Sequence, residues 1–332
     1  MSKRPIPPAD IFKGHTFKDR PKFLPTSDSP PEYLDHTWEN GRRYRGHASE
    51  FPFPNDDDAT MAYSCLNSVW VYLLRPDDVT MAPITLRRGN KVLDCAARAT
   101  AWMYKAEETY PGIRISVIDP GCAWLYPNDI DVHHQVEGEW GFTARQGFHL
   151  VRAQGLGGLI SDYEGFYRNV FRHLLPGGWV EVRENDLRFV TDSPSEEKDA
   201  KLVSLRKWEK LMEEAAERFG KPINVAGRQK ELMEQAGFTD VREEIFKVPL
   251  GHWMEGDWAR VASSYSRHLK HGLEGYTLRL FTKTLGWSLD DTMDLIKKVQ
   301  EETAESERKE LQLYSYFRVV IGKKPDDASR KP

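Results

Sequence analysis

The chain has 332 residues, 39% of them hydrophobic and 30% charged, with a formal net charge of -4. That is the balance of a soluble globular protein, with enough length for one large α/β domain carrying added elements or for two modest domains. The charge is spread without a basic stripe, which leaves nucleic acid out of the expected partners, and no apolar run approaches the roughly 20 residues that cross a bilayer. The N-terminal MSKRPIPPAD lacks the apolar stretch of a signal peptide. Cys65, Cys95 and Cys122 are odd in number and without metal-ligand spacing, so reduced thiols in a cytoplasmic protein are expected.

Residues 1 to about 32 carry seven prolines and little apolar periodicity, the signature of a poorly ordered arm. A helix is expected from near Asp58, burying Met61, Leu66, Val69 and Leu73. KVLDC (91–95) is a short apolar strand ending at a carboxylate, ATAWMYKAEETYP after it has helical spacing, and RISVID (114–119) is a second strand with the same ending. FHLVRAQ (148–154) is a third strand. SDYEGFYRNVFRHLLPGG (161–178) predicts a helix with Ser161 as N-cap and Phe166, Val170, Phe171 and Leu174 on one face, and WVEVRE (179–184) is a fourth strand. Strands alternating with helices at this spacing predict βαβ crossovers in a parallel sheet, which binds ligands beyond the carboxyl ends of its strands. Farther on, 199–220 and 224–238 are predicted helices, 241–251 a strand, 257–305 almost entirely helical and 311–325 a terminal strand. The expected organisation is one domain over 33–325, with helical cap elements at 199–235 and 257–305 covering the ligand crevice.

A set of segments in this order resembles the fungal LaeA-like class I S-adenosylmethionine-dependent methyltransferases. These are NGRRY (40–44), MAPI (81–84), VLD (92–94), GLISD (158–162), RHLLPGGWVEV (172–182), AAERFGKPINVA (215–226), AGFTDVREEIFKVPLGHW (236–253) and GLEGYTLRLFTKTLGWS (272–288). The resemblance covers about 32 to 325 and implies a Rossmann-like methyltransferase fold, mostly parallel, with a helical cap insertion. It also implies a cofactor loop of the form D-x-G-x-G-x-G, where glycine lets the backbone turn tightly and approach the cofactor. In this chain the loop runs Asp94-Cys95-Ala96-Ala97-Arg98-Ala99-Thr100, so Ala96, Arg98 and Thr100 stand at the three glycine positions. Asp119 matches the family's ribose-binding acid and Glu137 keeps the second carboxylate of the pair near the adenine. Arg152 and Gln154 replace a histidine and an arginine, and His149 replaces an aspartate.

Arg98 is expected either to turn out to solvent or to fill the methionine site. In the second case a carboxylate partner among Asp94, Asp119 and Glu137 is expected, since a buried guanidinium left unpaired is costly. His133-His134 does not make a metal site, because adjacent residues of a strand face opposite ways. Three functions follow from the resemblance, each in secondary metabolism with a small-molecule substrate or its pathway. The first is a cofactor-free enzyme that steers cyclisation or rearrangement of an apolar small molecule, a pericyclase such as a Diels–Alderase. For it Arg98, Gln154 and Glu184 are the candidate catalytic groups, and Tyr44, Trp140, His252 and Trp253 the candidate substrate wall. The second is a small-molecule methyltransferase using S-adenosylmethionine through an altered loop. The third is a catalytically inactive partner that regulates an active relative. A homo- or heterodimer is left open.

Overall fold

The computed structural model describes residues 36–45, 51–74, 79–98, 100–121, 130–133, 135–142, 147–192, 194–305 and 311–326. The proline-rich arm, Cys122 and His134 lie outside them. The chain begins with a hairpin, β1 (His36–Glu39) and β2 (Arg42–Arg45), and the long helix α1 (Asp57–Leu73). Then follow β3 (Lys91–Cys95), α2 (Ala101–Thr109), β4 (Arg114–Ile118), β5 (Asp131–His133), β6 (Phe148–Gln154), α3 (Tyr163–His173) and β7 (Leu174–Asn185). The second half holds β8 (Val190–Thr191), α4 (Glu196–Ala200), α5 (Val203–Phe219), α6 (Gln229–Gln235), β9 (Thr239–Pro249), α7 (Asp257–Arg279), α8 (Leu289–Glu305) and β10 (Leu313–Lys323). A single π turn, Leu280–Thr284, extends α7.

The sheet runs β5-β4-β3-β6-β7-β10-β8, with β9 also paired to β10. The strands from β5 to β7 are mutually parallel, and β10 is antiparallel to β7, β8 and β9. This order, with one reversed strand near the edge, is the Rossmann-like fold of class I methyltransferases. The carboxyl ends of β3, β4, β6 and β7 come together around the β3–α2 loop.

Local chemistry sets the ends of the elements. Asp56 caps α1 by accepting from Ala59 N at 3.0 Å, and its carboxylate also takes Arg42 Nε at 2.6 Å, which pins the hairpin to the helix. Leu66 and Val69 are buried in α1 as expected, but Met61 is 41% exposed and Leu73 only partly covered. Ala62, Tyr63 and Trp70 take the buried places, because α1 lies along α7 as well as the sheet. The N-cap of α3 is Asp162, which accepts from Gly165 N at 2.8 Å, while the Ser161 N–H and hydroxyl both donate to Glu137. That helix stops at His173 and the LLPGG stretch opens β7. Lys324 closes it, its Nζ donating to Phe171 O and Leu174 O at 2.7 Å each.

Trp70 joins these layers. It is 1% exposed, with its ring 5.0 Å from that of Phe317 on β10. Trp70→Ala is expected to lower unfolding free energy by about 3–5 kcal/mol. Urea denaturation checks it, and a loss below about 1 kcal/mol would show that α1 is not fixed to the sheet there.

Candidate functional site

The β3–α2 loop keeps a glycine-like path with other residues. Ala96 has φ +57° and Arg98 φ +46°, in the left-handed region, where a Cβ costs about 1–2 kcal/mol per residue. These are two of the three positions at which the family pattern calls for glycine. Thr100, the third, has φ -85°, precedes α2 without a side-chain capping bond and is partly exposed.

Arg98 turns inward and is 6% exposed. Its Nη2 donates to Gly155 O at 2.5 Å, its Nη1 donates to the Tyr63 hydroxyl at 3.0 Å, and the guanidinium lies 4.2 Å from the centre of the Tyr63 ring. The expected carboxylate partner is absent: no described carboxylate lies within ion-pair reach of Arg98. The three candidates are engaged elsewhere. Asp94 Oδ1 takes Arg152 Nη1 at 2.5 Å. Asp119 Oδ1 accepts from Gly121 N at 2.8 Å. Glu137 Oε2 takes Lys221 Nζ at 2.8 Å, while its other oxygen accepts from Ser161 and Asp162. Burial pushes the Glu137 carboxyl up, but Lys221 and those donors outweigh it and hold it below its ordinary value. A carbonyl and an aromatic face serve Arg98 instead.

Gln154 and Glu184 stand close by, both buried. Gln154 donates to Asn67 Oδ1 at 2.9 Å and accepts from Arg152. Glu184 accepts from the Leu156 and Gly157 N–H groups, and burial, only partly countered by those bonds and by Arg98, pushes its carboxyl up to about 7. Of the predicted site residues, Arg98, Gln154 and Glu184 thus share one neighbourhood, beside Asp94, Ala96 and Asp119. The expected substrate wall does not gather there. Tyr44 lies under the Arg279 guanidinium at 3.7 Å, and burial pushes its hydroxyl up to about 12. Trp140 packs against Phe142, Phe166 and His173. Trp253 bonds Leu250 O at 2.9 Å and meets Tyr314 edge-on, beyond β9, and His252 beside it is exposed.

The sequence reading missed a buried ionic layer on one face of β3, β6 and β7. Asp94 pairs in register with Arg152, and Arg152 with Glu181, while Gln154 stands opposite Arg183. All four charged residues are at most 2% exposed. Trp102 lies over Arg152 at 4.7 Å, and residues 79–81 complete the set. Glu181 accepts from Thr80 Oγ1 at 2.7 Å and Met81 N at 2.5 Å on one oxygen, and from Arg183 Nε at 2.7 Å on the other. Burial pushes its carboxyl up, and Arg183 and these donors more than reverse that. Asp94 has one donor, and its Oδ2 has no hydrogen-bond partner among the described residues, so burial wins there and raises its carboxyl. Donor count decides the difference. Among the described residues no cluster of three His, Cys, Asp or Glu side chains is placed to hold a metal ion, and no helix is long and apolar enough to cross a membrane.

No family model matches the chain. It is 26% identical over 298 residues to the methyltransferase pytC of Aspergillus terreus, covering 87% of this chain and 88% of that protein. To the secondary metabolism regulator laeA of Aspergillus fumigatus it is 24% identical over 318 residues, covering 92% and 81%. The laeA of Monascus pilosus is 26% identical over 315 residues, covering 91% and 81%. Its curated relatives thus include a methyltransferase and regulators named laeA. Solved structures similar to it include the (4+2)-cyclase SpnF, at 15% identity and TM-score 0.43, covering 80% of this chain and 93% of that one. Another is phosphoethanolamine N-methyltransferase 2 of Haemonchus contortus with S-adenosyl-L-methionine, at 14% identity and TM-score 0.40, covering 73% of this chain. The chain spans 50% of the length of that methyltransferase. In this chain the β3–α2 loop is left-handed at Ala96 and Arg98, and the Arg98 side chain turns into the crevice.

The ionic layer gives a test of coupling. Arg152→Met leaves the buried Asp94 without its ion-pair partner and is expected to cost about 3–5 kcal/mol. The double variant Asp94→Leu with Arg152→Met is expected to lose clearly less than the sum of the two single changes. Urea denaturation of the three variants checks this, and additive losses would show that the pair is not coupled.

Proposed function

We propose that this chain serves fungal secondary metabolism without transferring a methyl group, as a regulatory partner built on a closed methyltransferase fold. The observation that carries the reading is Arg98, whose guanidinium sits between Gly155 O and the Tyr63 ring. In the LaeA-like pattern this side of the glycine loop is left open for the methionine end of S-adenosylmethionine. The residues present do not fit that end. A Cβ placed on Gly155 would already lie 2.4 Å from Arg98 Nη2, so the guanidinium takes the space beside that carbonyl. The acid at the ribose position, Asp119, persists, but alone it gives little affinity.

Regulation is favoured over catalysis at this crevice because its three candidate catalytic groups are engaged inside the protein. Arg98 bonds a carbonyl, Gln154 bonds Asn67, and Glu184 bonds two backbone N–H groups. A donor that polarises a substrate carbonyl has to be free to reach it. The relatives include both a methyltransferase and regulators of secondary metabolism, and the regulatory reading takes up the second. A second reading, the cofactor-free steering of a small molecule through cyclisation or rearrangement, has one observation in its favour. A groove of about 610 Å³ between α5 and α8, with Trp287 and Leu295 in its wall, is of ligand size. It lies away from Arg98, so in that reading the chemistry belongs to the cap.

Calorimetry with S-adenosylmethionine tests the common premise: the dissociation constant of the wild type is expected above about 1 mM, an affinity weaker than about 4 kcal/mol. Arg98→Gly is expected to bind at least about tenfold tighter, since the plug is removed. Micromolar binding to the wild type would refute the premise. The regulatory reading then predicts that adding the chain to an active LaeA-like methyltransferase changes that enzyme's turnover. Conversion of a pathway intermediate by the purified chain alone would favour steering instead.

A further inference from the structure

Two charged side chains end on one peptide group. The carbonyl of Gly155 accepts from Arg98, and the N–H of the same peptide, on Leu156, donates to Glu184. The peptide dipole therefore has its negative end on a cation and its positive end on an anion, and each charge strengthens the other's hydrogen bond. Arg98 and Glu184 are 6% and 4% exposed, so water screens them little. The turn also packs closely on the segment after α5, where a Cβ on Gly157 would lie 2.4 Å from Ile223 O.

The surroundings leave Glu184 as the group that changes charge near neutrality. Asp186, just after β7, faces it, as do Tyr163 and Tyr167 on α3, whose hydroxyls burial keeps well above the ordinary tyrosine range. Arg98 faces Tyr63 on α1, His268 and Tyr276 on α7, and Asp119 after β4. Burial pushes His268 down to about 4, so it is neutral across the range concerned.

We propose that Glu184 is a positioning residue that holds Arg98 in the crevice through the Gly155–Leu156 peptide, and that protonation of Glu184 loosens this latch. The inference concerns regulation of the site described above and rests on the reading that Arg98 fills it. Two equilibria then respond to pH with opposite signs. Relative to the unfolded chain, the Glu184 carboxyl is raised to about 7, so its contribution to stability is present in acid and lost as pH rises through that value. Relative to a state with Arg98 swung out, the carboxyl is lowered by the guanidinium. The latch is therefore strongest above about 7 and weakens as pH falls through it. Acid tightens the fold through this residue while it loosens the turn.

Hydrogen exchange on the full chain, read by mass spectrometry and corrected for intrinsic rates, separates the two effects. With β6 as internal reference, protection of the 155–157 amides in the wild type is expected to fall about tenfold between about pH 8.5 and about pH 5.5. In Glu184→Gln that protection is expected to be low and independent of pH. The melting temperature of the wild type minus that of Glu184→Gln is expected to fall as pH rises over the same range. If Glu184→Gln does not fold, Arg98→Met is expected to show a smaller fall in protection with acid, what remains coming from the direct bonds of Leu156 and Gly157 to Glu184. Wild-type protection that is unchanged between the two pH values, pH dependence that survives in Glu184→Gln, or a fall in Arg98→Met as large as in the wild type overturns the latch. Tight S-adenosylmethionine binding by the wild type would defeat the functional reading alone and leave the exchange result standing.

Discussion

At the turn after β6, three parts of the chain close on a stretch of backbone in which glycine stands at three of four positions. A Cβ on Gly155 would meet Arg98 at 2.4 Å, one on Gly157 would meet the Ile223 carbonyl at 2.4 Å, and one on Gly158 would meet the Phe53 ring at 2.6 Å. Gly155 and Gly158 also have φ of +64° and +76°. The β3–α2 loop, the segment before α1 and the segment after α5 therefore all rest on residues 155–158. Glu184 fixes the same turn from β7. Arg98 is the part of this junction that the family pattern does not call for.

Beneath the junction the sheet carries charges where a parallel sheet ordinarily carries aliphatic side chains. Asp94, Arg152, Glu181 and Arg183 form a neutral set, and their value lies in register as much as in energy. A two-residue slip of β7 against β6 would bring Arg152 opposite Arg183 instead of Glu181. Burying such a set is no more stabilising than an apolar core of the same shape, yet losing one member strands its partner without a counter-charge. The layer holds β3 and β6 in the alignment that places the loop after β3 against the turn after β6.

The sheet was legible because β3 and β6 are short apolar runs bounded by turn residues, and both match the structure residue for residue. The ionic layer was not, although its signal was present. WVEVRE alternates apolar and charged residues, which reads as a half-exposed strand, but β7 lies inside the sheet between β6 and β10 and residues 179–184 are all buried. Opposite charges in KVLDC, FHLVRAQ and WVEVRE at matching depth were the sign that they face one another. The α1 face was misjudged at Met61 because periodicity marks a stripe and cannot say that α7 adds a second one. Arg98 was legible as a filled glycine position, but its partners were not. Sequence gives the carboxylates near a crevice without saying which of them Arg152 and Lys221 already hold. Tyr44, Trp140, His252 and Trp253 scatter for the same reason, since loops that converge on paper lead to different sides of the sheet.

The strained loop also follows from the junction. Ala96 and Arg98 each cost about 1–2 kcal/mol in the left-handed region. A hydrogen bond from a charged donor contributes about 1.5–3 kcal/mol, and Arg98 makes two, with a cation–π contact to Tyr63 in addition. Side-chain anchoring is thus of the size needed to hold the backbone in a path that glycine would follow freely. In a loop of glycines that conformation depends on the residues' own freedom and leaves the cleft open. Here it depends on what fills the cleft, so the shape of the loop and the closure of the site stand or fall together.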